Sequence, residues 1–267
     1  MSKQIAIIGA GNLGVSLAEG LVASSQYRPE DFILTRRQLS KIQHLEEKGY
    51  TITTDNNEAV NQAAIVVISV LPQKINVVLE EISKAVNTQQ LIISLVTGIK
   101  VGQIQEKLGA NIPIVRAMPN TALAIRESMT CIATTQQWSE HQQKVKTIFE
   151  NVGEAVIINE EQMTSATALC ACGIAFFLRA IRAASQGGNE IDFHSEEALK
   201  MAAQTAKGAA SLLIANASHP EDEIDKVTSP KGCTIAGLNE MEHNGFSSSF
   251  IKGIVMSAKQ AKELYTK

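Results

Sequence analysis

Three glycines near the start of the chain have the spacing of a turn that binds phosphate groups. Gly9, Gly11 and Gly14 follow the apolar run 5–8, typical of a buried strand, and precede residues 15–22, which favour a helix. In such a unit the first glycine permits the turn, the second admits a pyrophosphate to the backbone, and the third lets helix pack on strand. The helix N-terminus adds N–H groups and a positive dipole end. The spacing predicts a dinucleotide site, and a turn without a ligand is the alternative.

The end of the second predicted strand indicates which dinucleotide is bound. The strand Phe32-Ile33-Leu34 ends in Thr35-Arg36-Arg37, whereas the acidic residues Glu30 and Asp31 precede it, at its wrong end. An NAD site has an acidic residue after this strand, for the ribose 2′-OH. A hydroxyl and two guanidinium groups suit a 2′-phosphate instead. We therefore expect NADPH, with NADH as the second candidate. The alternative is that both arginines are merely solvated.

Composition limits the classes of partner and compartment. The chain has 267 residues, 45% of them hydrophobic, and a net charge of −3, which suggests neither nucleic acid nor an anionic membrane as partner. Residues 1–4 lead straight into the first strand and leave no room for a targeting segment, and no apolar run reaches the ~18 residues of a membrane span. None of the four cysteines forms a C-x-x-C pair, so we expect no metal site. A soluble, cytoplasmic protein with reduced thiols is the simplest interpretation.

Strands and helices alternate up to residue 158. Buried parallel strands are predicted at 64–70, 91–95 and 112–115, later strands at 129–133 and 155–158, and helices at 73–86 and 101–108. This order is typical of a doubly wound α/β (Rossmann) domain, which we assign to residues 1–158.

Residues 159–267 are predicted to form an all-helical second domain. The stretch 160–186 is apolar on nearly every face, so its helix is expected to be buried all round. Further helices are predicted from an N-cap at Ser195 to about Ala217, from Pro220, and from about Ser247 to Leu264. Because this domain is small for so buried a helix, we expect a second subunit to complete its core. The alternative is that the first domain covers it.

Candidate site residues follow the later strands and precede one helix. Val70-Leu71-Pro72, Thr97-Gly98 and the stretch 116–121 come after predicted strands, at the sheet edge where ligands bind. The two prolines there could equally be simple chain stops. Between helices, the stretch 227–235 offers backbone N–H groups and hydroxyls that could hold a carboxylate. An ordinary capped turn is the alternative.

Taken in order, these motifs resemble the pyrroline-5-carboxylate reductases along essentially the whole chain. The matching stretches are 8–14, 70–73, 116–121, 204–210, 227–235 and 237–246. The Met-Pro-Asn-Thr and Thr-Ser-Pro stretches are far more specific than the glycine motif. The resemblance implies NAD(P)H-dependent reduction of 1-pyrroline-5-carboxylate to L-proline, the last step of proline biosynthesis. It also implies homodimers built through C-terminal helices, in some members assembled into larger rings.

The resemblance also implies the site residues. Thr234 would be the catalytic residue, bonded to the ring nitrogen of the substrate. The substrate-binding set is Cys172, Ser229, Gly232, Cys233 and Thr234. With the residues chosen above, the expected cofactor-binding set is Gly9, Gly11, Asn12, Leu13, Gly14, Thr35, Arg36, Arg37, Asn56, Val70, Leu71, Pro72, Thr97, Gly98, Met118 and Asn120.

Several positions depart from the family pattern and keep rival functions open. Leu71 stands where the family commonly has Lys, Lys231 replaces a glycine and must have a negative or strained φ, and Cys172, Ile174 and Cys233 are also atypical. These changes motivate one rival, an inactive NADPH-binding sensor.

The other rival is a β-hydroxyacid dehydrogenase or an open-chain imine reductase of the same plan. Hydroxyacid chemistry usually uses a Lys on the long helix, and residues 162–186 contain none. The thiols of Cys170 and Cys172 are two positions apart on a helix and do not face each other, so inert packing is expected of them, with a cysteine switch as the alternative.

Overall fold

The computed structural model describes residues 3–263, which form two compact units. The first unit comprises the described residues through Cys172 and those from Ser257 onward, and the second is Gly173–Met256. This division falls inside the helical run that begins at Met163, not at the predicted boundary between residues 158 and 159. That boundary stays a prediction.

An eight-stranded sheet with the order β3-β2-β1-β4-β5-β6-β7-β8 forms the centre of the first unit. Its strands are β1 (Lys3–Ile8), β2 (Phe32–Thr35), β3 (Thr51–Thr53), β4 (Ala63–Ile68), β5 (Leu91–Ser94), β6 (Ile114–Met118), β7 (Ser128–Ala133) and β8 (Gly153–Ile157). All neighbouring strands are parallel except β6 and β7. The doubly wound fold is confirmed.

The sheet is buried on both faces, as its uninterrupted apolar strands predict. Along β1, Ile5 and Ile7 contribute to one hydrophobic cluster, whereas Ala6 and Ile8 contribute to another. Successive strand residues point to opposite faces, so each face must be covered by helices.

Helices of the first unit cover the sheet and largely match the predicted positions. They are α1 (Asn12–Ala23), α2 (Gln43–Glu46), α3 (Asn56–Asn61), α4 (Ile75–Ile82), α5 (Val101–Leu108), α6 (Ser139–Glu150) and α7 (Met163–Ala166), the last continued by one π-helical turn at Thr167–Ala171. The predicted bounds of α5 are confirmed. The helix predicted over 73–86 is shorter at both ends: a 3-10 turn over Pro72–Lys74 precedes it, and the helix ends at Ile82.

One strand prediction needs correction. The strand predicted over 112–115 is β6 at Ile114–Met118, so Arg116 and Met118 lie within the strand instead of after it. Arg116 is buried there and forms an ion pair with Glu160, whose carboxylate oxygen lies 3.2 Å from the guanidinium. In the sequence, the charged Arg116 marks the end of an apolar run. In the structure the strand continues through it, because Glu160, far along the chain, compensates the buried charge.

The remaining helices are α8 (Gly173–Glu190), α9 (Ser195–Asn216), α10 (Pro220–Lys226), α11 (Cys233–His243) and α12 (Phe246–Glu263). Pro220 opens α10 as predicted, but the N-cap of α9 is His194 and not Ser195. The predicted end of the last helix, Leu264, lies outside the described residues.

The prediction that the first long helix is buried all round is wrong for the single chain. Phe177 and Leu178 on α8 are each 59% exposed. The helical run Glu160–Glu190 is moreover long and apolar enough, by length and composition, to cross a membrane, contrary to the expectation that no apolar run reaches that length. Core helices of soluble proteins pass the same test.

Candidate functional site

The three glycines of the first turn have three different structural roles. Gly9 has φ +93°, and a Cβ there would lie 2.6 Å from a methyl carbon of Val70. A Cβ on Gly11 would have no atom within 4 Å, so the backbone faces open space. A Cβ on Gly14 would lie 3.0 Å from the carbonyl oxygen of Gly9, where α1 packs on β1. The predicted roles of turn, open backbone and close packing match this geometry.

Beside this turn, a cleft of about 770 Å³ opens at the carboxyl ends of β1, β2 and β4. The strand order reverses between β1 and β4, which is where doubly wound sheets bind ligands. The cleft is lined by Ile8, Gly9, Gly11, Thr35, Arg36, Arg37, Gln38, Thr54, Asn56, Ser69, Val70, Leu71, Lys74, Val77, Val78 and Glu81. It thus brings together the predicted residues of the glycine turn, of the end of β2 and of the segment after β4.

The helix N-terminus at this cleft is open to a ligand. Gly11 is the N-cap of α1, and no side chain among the described residues caps it. The first N–H groups of a helix have no partner within the helix, and they carry the positive end of its dipole. Asn12 and Leu13 begin this helix, so their predicted contribution is through these N–H groups.

Thr35 supports the turn by a chain of hydrogen bonds. Its hydroxyl accepts from the N–H of Gly9 at 3.2 Å and donates to Oδ1 of Asn56 at 2.6 Å. The Nδ2 of Asn56 in turn donates to a carboxylate oxygen of Glu81 at 3.0 Å. Because Thr35 is 2% exposed and its hydroxyl is engaged inside the protein, the predicted contact of that hydroxyl with a 2′-phosphate is not supported. Thr35 positions the glycine turn and Asn56.

Positive charge predominates along the cleft. Nη1 of Arg36 donates to the carbonyl oxygen of Ala10 at 2.8 Å, which holds this guanidinium beside the glycine turn. Arg37 is exposed and Lys74 also lines the cleft, whereas Glu81 is the one carboxylate among the lining residues. This balance favours an anionic ligand.

The other predicted cofactor residues lie outside the cleft lining. Pro72 begins a 3-10 turn directly after Leu71. Thr97 and Met118 contact each other, with the Thr97 hydroxyl oxygen 3.9 Å from the methionine sulfur. Gly98, next to Thr97, has φ +90°.

Asn120 is an anchor for the segment after β6. Its Oδ1 accepts from the N–H of Ala122 at 3.0 Å, and its Nδ2 donates to the carbonyl oxygen of Cys170 at 3.2 Å. The backbone N–H of Asn120 donates to the hydroxyl of Ser128 at 3.1 Å. Asn120 therefore ties the end of β6 to the π-helical turn.

Sequence reasoning missed several lining residues. Ser69 directly follows β4, so the strand-end rule that selected Val70 could have found it. Lys74 lies in the segment after β4 and Glu81 in the helix that follows it. Neither directly follows a strand, so the strand-end rule does not select them. The Glu81–Asn56 bond joins residues that are far apart in the chain, and only the fold reveals it.

Arg116, in the middle of β6, forms a largely buried ion pair with Glu160. Glu160 accepts from Nη1 of Arg116 and, at 2.7 Å, from the backbone N–H of Val101. Burial lowers the pKa of Arg116, and the neighbouring Glu160 carboxylate acts in the opposite direction. The pair links β6, α5 and the segment that leads into α7, which is a structural role.

The predicted substrate loop belongs to the second unit and precedes α11. Lys231 has φ +59°, in the left-handed region. Of the two predicted alternatives, a negative φ or a strained one, the structure has the strained one. A Cβ on Gly232 would lie 2.5 Å from the hydroxyl oxygen of Ser229 and 3.0 Å from its carbonyl oxygen, so a side chain there would displace the Ser229 hydroxyl. Gly232 is the N-cap of α11 and has no side-chain cap in the described part of the chain. Cys233 and Thr234 form the first turn of α11, and their N–H groups are available to a carboxylate.

Cys172, the remaining predicted substrate residue, follows the π-helical turn in the first unit. Its N–H donates to the carbonyl oxygen of Thr167 at 2.9 Å, and its side chain is half-buried. Single π turns occur frequently at functional sites. Within residues 3–263, no group of three or more His, Cys, Asp or Glu side chains could hold a metal ion.

Two family models of oxidoreductases match this chain, one in its N-terminal part and one in its C-terminal part. Residues 160–264 match a family model described as pyrroline-5-carboxylate reductase dimerisation, and residues 4–98 match one described as NADP oxidoreductase, coenzyme F420-dependent. The chain is 52% identical to pyrroline-5-carboxylate reductase 2 of Dictyostelium discoideum, over 98% of this chain and 93% of that one. It is 50% identical to reductase 1 of the same organism, but it spans only 50% of that relative's length. Its fold is similar to that of the Plasmodium falciparum pyrroline carboxylate reductase with NADP bound, with a TM-score of 0.89, 24% identity and 98% coverage of both chains.

Proposed function

The chain belongs to the pyrroline-5-carboxylate reductase family, and we propose that it reduces 1-pyrroline-5-carboxylate to L-proline by hydride transfer from a nicotinamide dinucleotide, the last step of proline biosynthesis. The observation that carries this proposal is the cleft at the β1–β4 switch point, whose glycine turn and cationic lining suit a dinucleotide. Similarity to reductases over nearly the whole chain supports the reaction class. It does not favour a β-hydroxyacid dehydrogenase, an open-chain imine reductase or an inactive sensor.

The glycine turn and the start of α1 would hold the pyrophosphate. Open space at Gly11 leaves room for it, and the N–H groups of Asn12 and Leu13 would donate to its oxygens. Gly14 keeps α1 close to β1, so that these groups point at the cleft. When bound, the dinucleotide supplies the hydride.

We assign NADPH as the preferred form. Arg36 and Arg37 follow β2, where the 2′ position of the ribose would lie, and guanidinium groups suit a phosphate there. Glu81, the one carboxylate of the lining, is bonded to Asn56, which leaves less of it free to accept a ribose hydroxyl. The match of residues 4–98 to an NADP oxidoreductase model supports a nicotinamide cofactor.

The nicotinamide end would lie along the later strands. Val70 and Leu71 line the cleft, and Pro72 begins the 3-10 turn that follows them. The remaining members of the proposed cofactor set are Thr97, Gly98, Met118 and Asn120. These residues would orient the ring and exclude water, because hydride transfer depends on orientation more than on a strong acid.

The loop before α11 would bind the substrate. Its carboxylate would accept from the N–H groups of Cys233 and Thr234, with Ser229 as a hydroxyl donor. Gly232, whose own N–H donates to the carbonyl oxygen of Ser229 at 2.9 Å, would shape the loop. The hydroxyl of Thr234 would hydrogen-bond the ring nitrogen, which is protonated in the reactive form of the imine. Cys172 remains a member of the proposed substrate-binding set.

The working enzyme is proposed to be a cytoplasmic homodimer, which could assemble further into a ring of dimers. Apolar side chains on α8, α9 and α12 are exposed in the second unit, among them Phe177, Leu212, Ile214 and Val255. The dimerisation model covers the same helices. Burying such a surface is favourable by roughly 25 cal/mol per Å². Sedimentation at micromolar concentration should give a dimer or a larger species, and a monomer would contradict this.

Turnover with each cofactor tests the function directly. The purified protein is mixed with 1-pyrroline-5-carboxylate and either NADPH or NADH, and nicotinamide absorbance is followed. Oxidation that is faster with NADPH supports both the reaction and the cofactor assignment. Preference for NADH would keep the reaction and overturn the role of Arg36 and Arg37. A folded protein that binds the cofactor without turnover would favour the sensor.

A further inference from the structure

Two thiols far apart in the sequence lie side by side in the first unit. The sulfur of Cys131 on β7 is 3.8 Å from the sulfur of Cys170 in the π-helical turn. Cys131 is buried and Cys170 is half-buried. This pair differs from Cys170 and Cys172, whose positions on one helix keep their thiols apart.

The surrounding structure holds these sulfurs together. Met118, Ala133, Met163 and Ala166 pack with Cys131 in one hydrophobic cluster, and Cys170 borders it. On the other side, Nδ2 of Asn120 donates to the carbonyl oxygen of Cys170. The contact therefore joins two anchored segments.

We propose that Cys131 and Cys170 form a reversible disulfide when the protein meets a hydroperoxide, and that closing this bond slows turnover. The thiolate of Cys170 attacks the peroxide, the O–O bond breaks, and a sulfenic acid forms as hydroxide leaves and is protonated to water. The Cys131 sulfur then attacks the Cys170 sulfur, giving the S–S bond and a second water. Two thiols lose two hydrogens and one peroxide is reduced, so atoms and electrons balance.

The electrostatics of the pair indicate which thiol reacts first. The Cys131 thiol can donate to the Cys170 sulfur, which lowers the pKa of Cys170 to about 7. The same interaction, together with burial, raises the pKa of Cys131. Cys170 is also the more accessible of the two, and thiolate character with access is what peroxide requires.

Closing the bond would change the shape of the proposed site. The sulfurs must approach by about 1.8 Å to reach a bonding distance, which moves one or both segments. Cys131 is the cross-strand partner of Met118, and Cys170 lies two residues before Cys172. This part of the inference rests on the proposed function, because Met118 and Cys172 belong to the proposed cofactor and substrate sets.

The test combines thiol mapping with kinetics on the full chain. Reduced protein is exposed to a small molar excess of hydrogen peroxide, free thiols are alkylated, and peptides are identified by mass spectrometry before and after dithiothreitol. We expect a cross-linked peptide pair containing Cys131 and Cys170, while Cys172 and Cys233 are alkylated. Turnover should fall several-fold and recover with dithiothreitol.

The matched variants are Cys170→Ala, at a half-buried position, and Cys131→Ala, at a buried one. Each should keep its basal turnover and lose the reversible inhibition. Peroxide modification of Cys172 or Cys233 with the pair still reduced would overturn the proposal, as would a cross-link that leaves turnover unchanged. A protein inactive before peroxide would instead contradict the proposed function, and the peptide map would still report on the pair.

Discussion

The glycine turn before α1 and the loop before α11 solve the same problem with different residues. Both end in a glycine N-cap, Gly11 or Gly232, that leaves the first helical N–H groups without a side-chain cap in the described structure. The turn places a glycine at its left-handed position, Gly9, whereas the loop places Lys231 there. Anion binding at a helix start thus depends on backbone shape, and the residue that adopts the left-handed conformation can vary at a cost in stability.

The largest effect is expected from Gly9→Ala. The added methyl would need a left-handed φ and would lie 2.6 Å from Val70, so the turn must shift. We expect a loss of more than about 1 kcal/mol of unfolding free energy and dinucleotide affinity reduced at least ~10-fold. Calorimetric titration and thermal unfolding measure both.

Gly102→Ala is the matched control for this change. It lies in α5 with no atom within 4 Å of an added Cβ, and alanine should be neutral or stabilising there. Unchanged dinucleotide affinity in Gly9→Ala would contradict the role of the turn.

Thr234→Ala tests the loop before α11 as the substrate site. Losing a hydroxyl that bonds the ring nitrogen should lower kcat/KM by roughly 10-fold or more, with dinucleotide affinity unchanged. Thr234→Ser keeps the hydroxyl and should restore most of the activity. If steady-state kinetics find kcat/KM of the alanine variant within about threefold of the original, we would abandon this role.

Arg37→Ala tests the cofactor preference. Arg37 is exposed at the cleft, and a charge-assisted hydrogen bond to a 2′-phosphate contributes about 1.5–3 kcal/mol. We expect the KM for NADPH to rise at least about tenfold while that for NADH hardly changes. Arg28→Ala, an exposed arginine away from the cleft, should alter neither value. Equal effects on both cofactors would exclude a phosphate contact.

Lys231→Gly should have the smallest effect. Glycine adopts φ +59° without the steric penalty of a side chain, so the free energy of unfolding should increase by up to about 1 kcal/mol. Lys207→Gly in the interior of α9 is the control and should destabilise by a similar amount. Chemical denaturation of both variants gives the comparison, and a destabilised Lys231→Gly would show that the lysine side chain makes a compensating contact.

The sequence predicted those features that depend on local pattern. The glycine turn, the alternation of strands and helices in a doubly wound domain, and the helix starting at Pro220 follow from spacing and apolar runs, and all are observed. The extension of β6 through Arg116 could not be predicted, because the charge is compensated by Glu160 far along the chain. The hydrogen bond of the Thr35 hydroxyl to Asn56 and the contact of Cys131 with Cys170 also join residues that are distant in the sequence, so they could not be predicted from local pattern.

The exposed apolar face of α8 has a related cause. Its sequence predicts burial, and the chain alone does not supply it, so the pattern reports on an assembly instead of a single subunit.

Isotope transfer tests the central claim most directly. The protein is incubated with 1-pyrroline-5-carboxylate and NADPH deuterated at C4, and the products are analysed by mass spectrometry with authentic L-proline as the standard. With both C4 hydrogens replaced by deuterium, our account predicts L-proline that carries one deuterium, in an amount equal to the NADPH consumed, and slower formation of this product with Gly9→Ala at limiting NADPH. NADPH oxidation without labelled proline, or no oxidation by a folded and cofactor-bound protein, would contradict it.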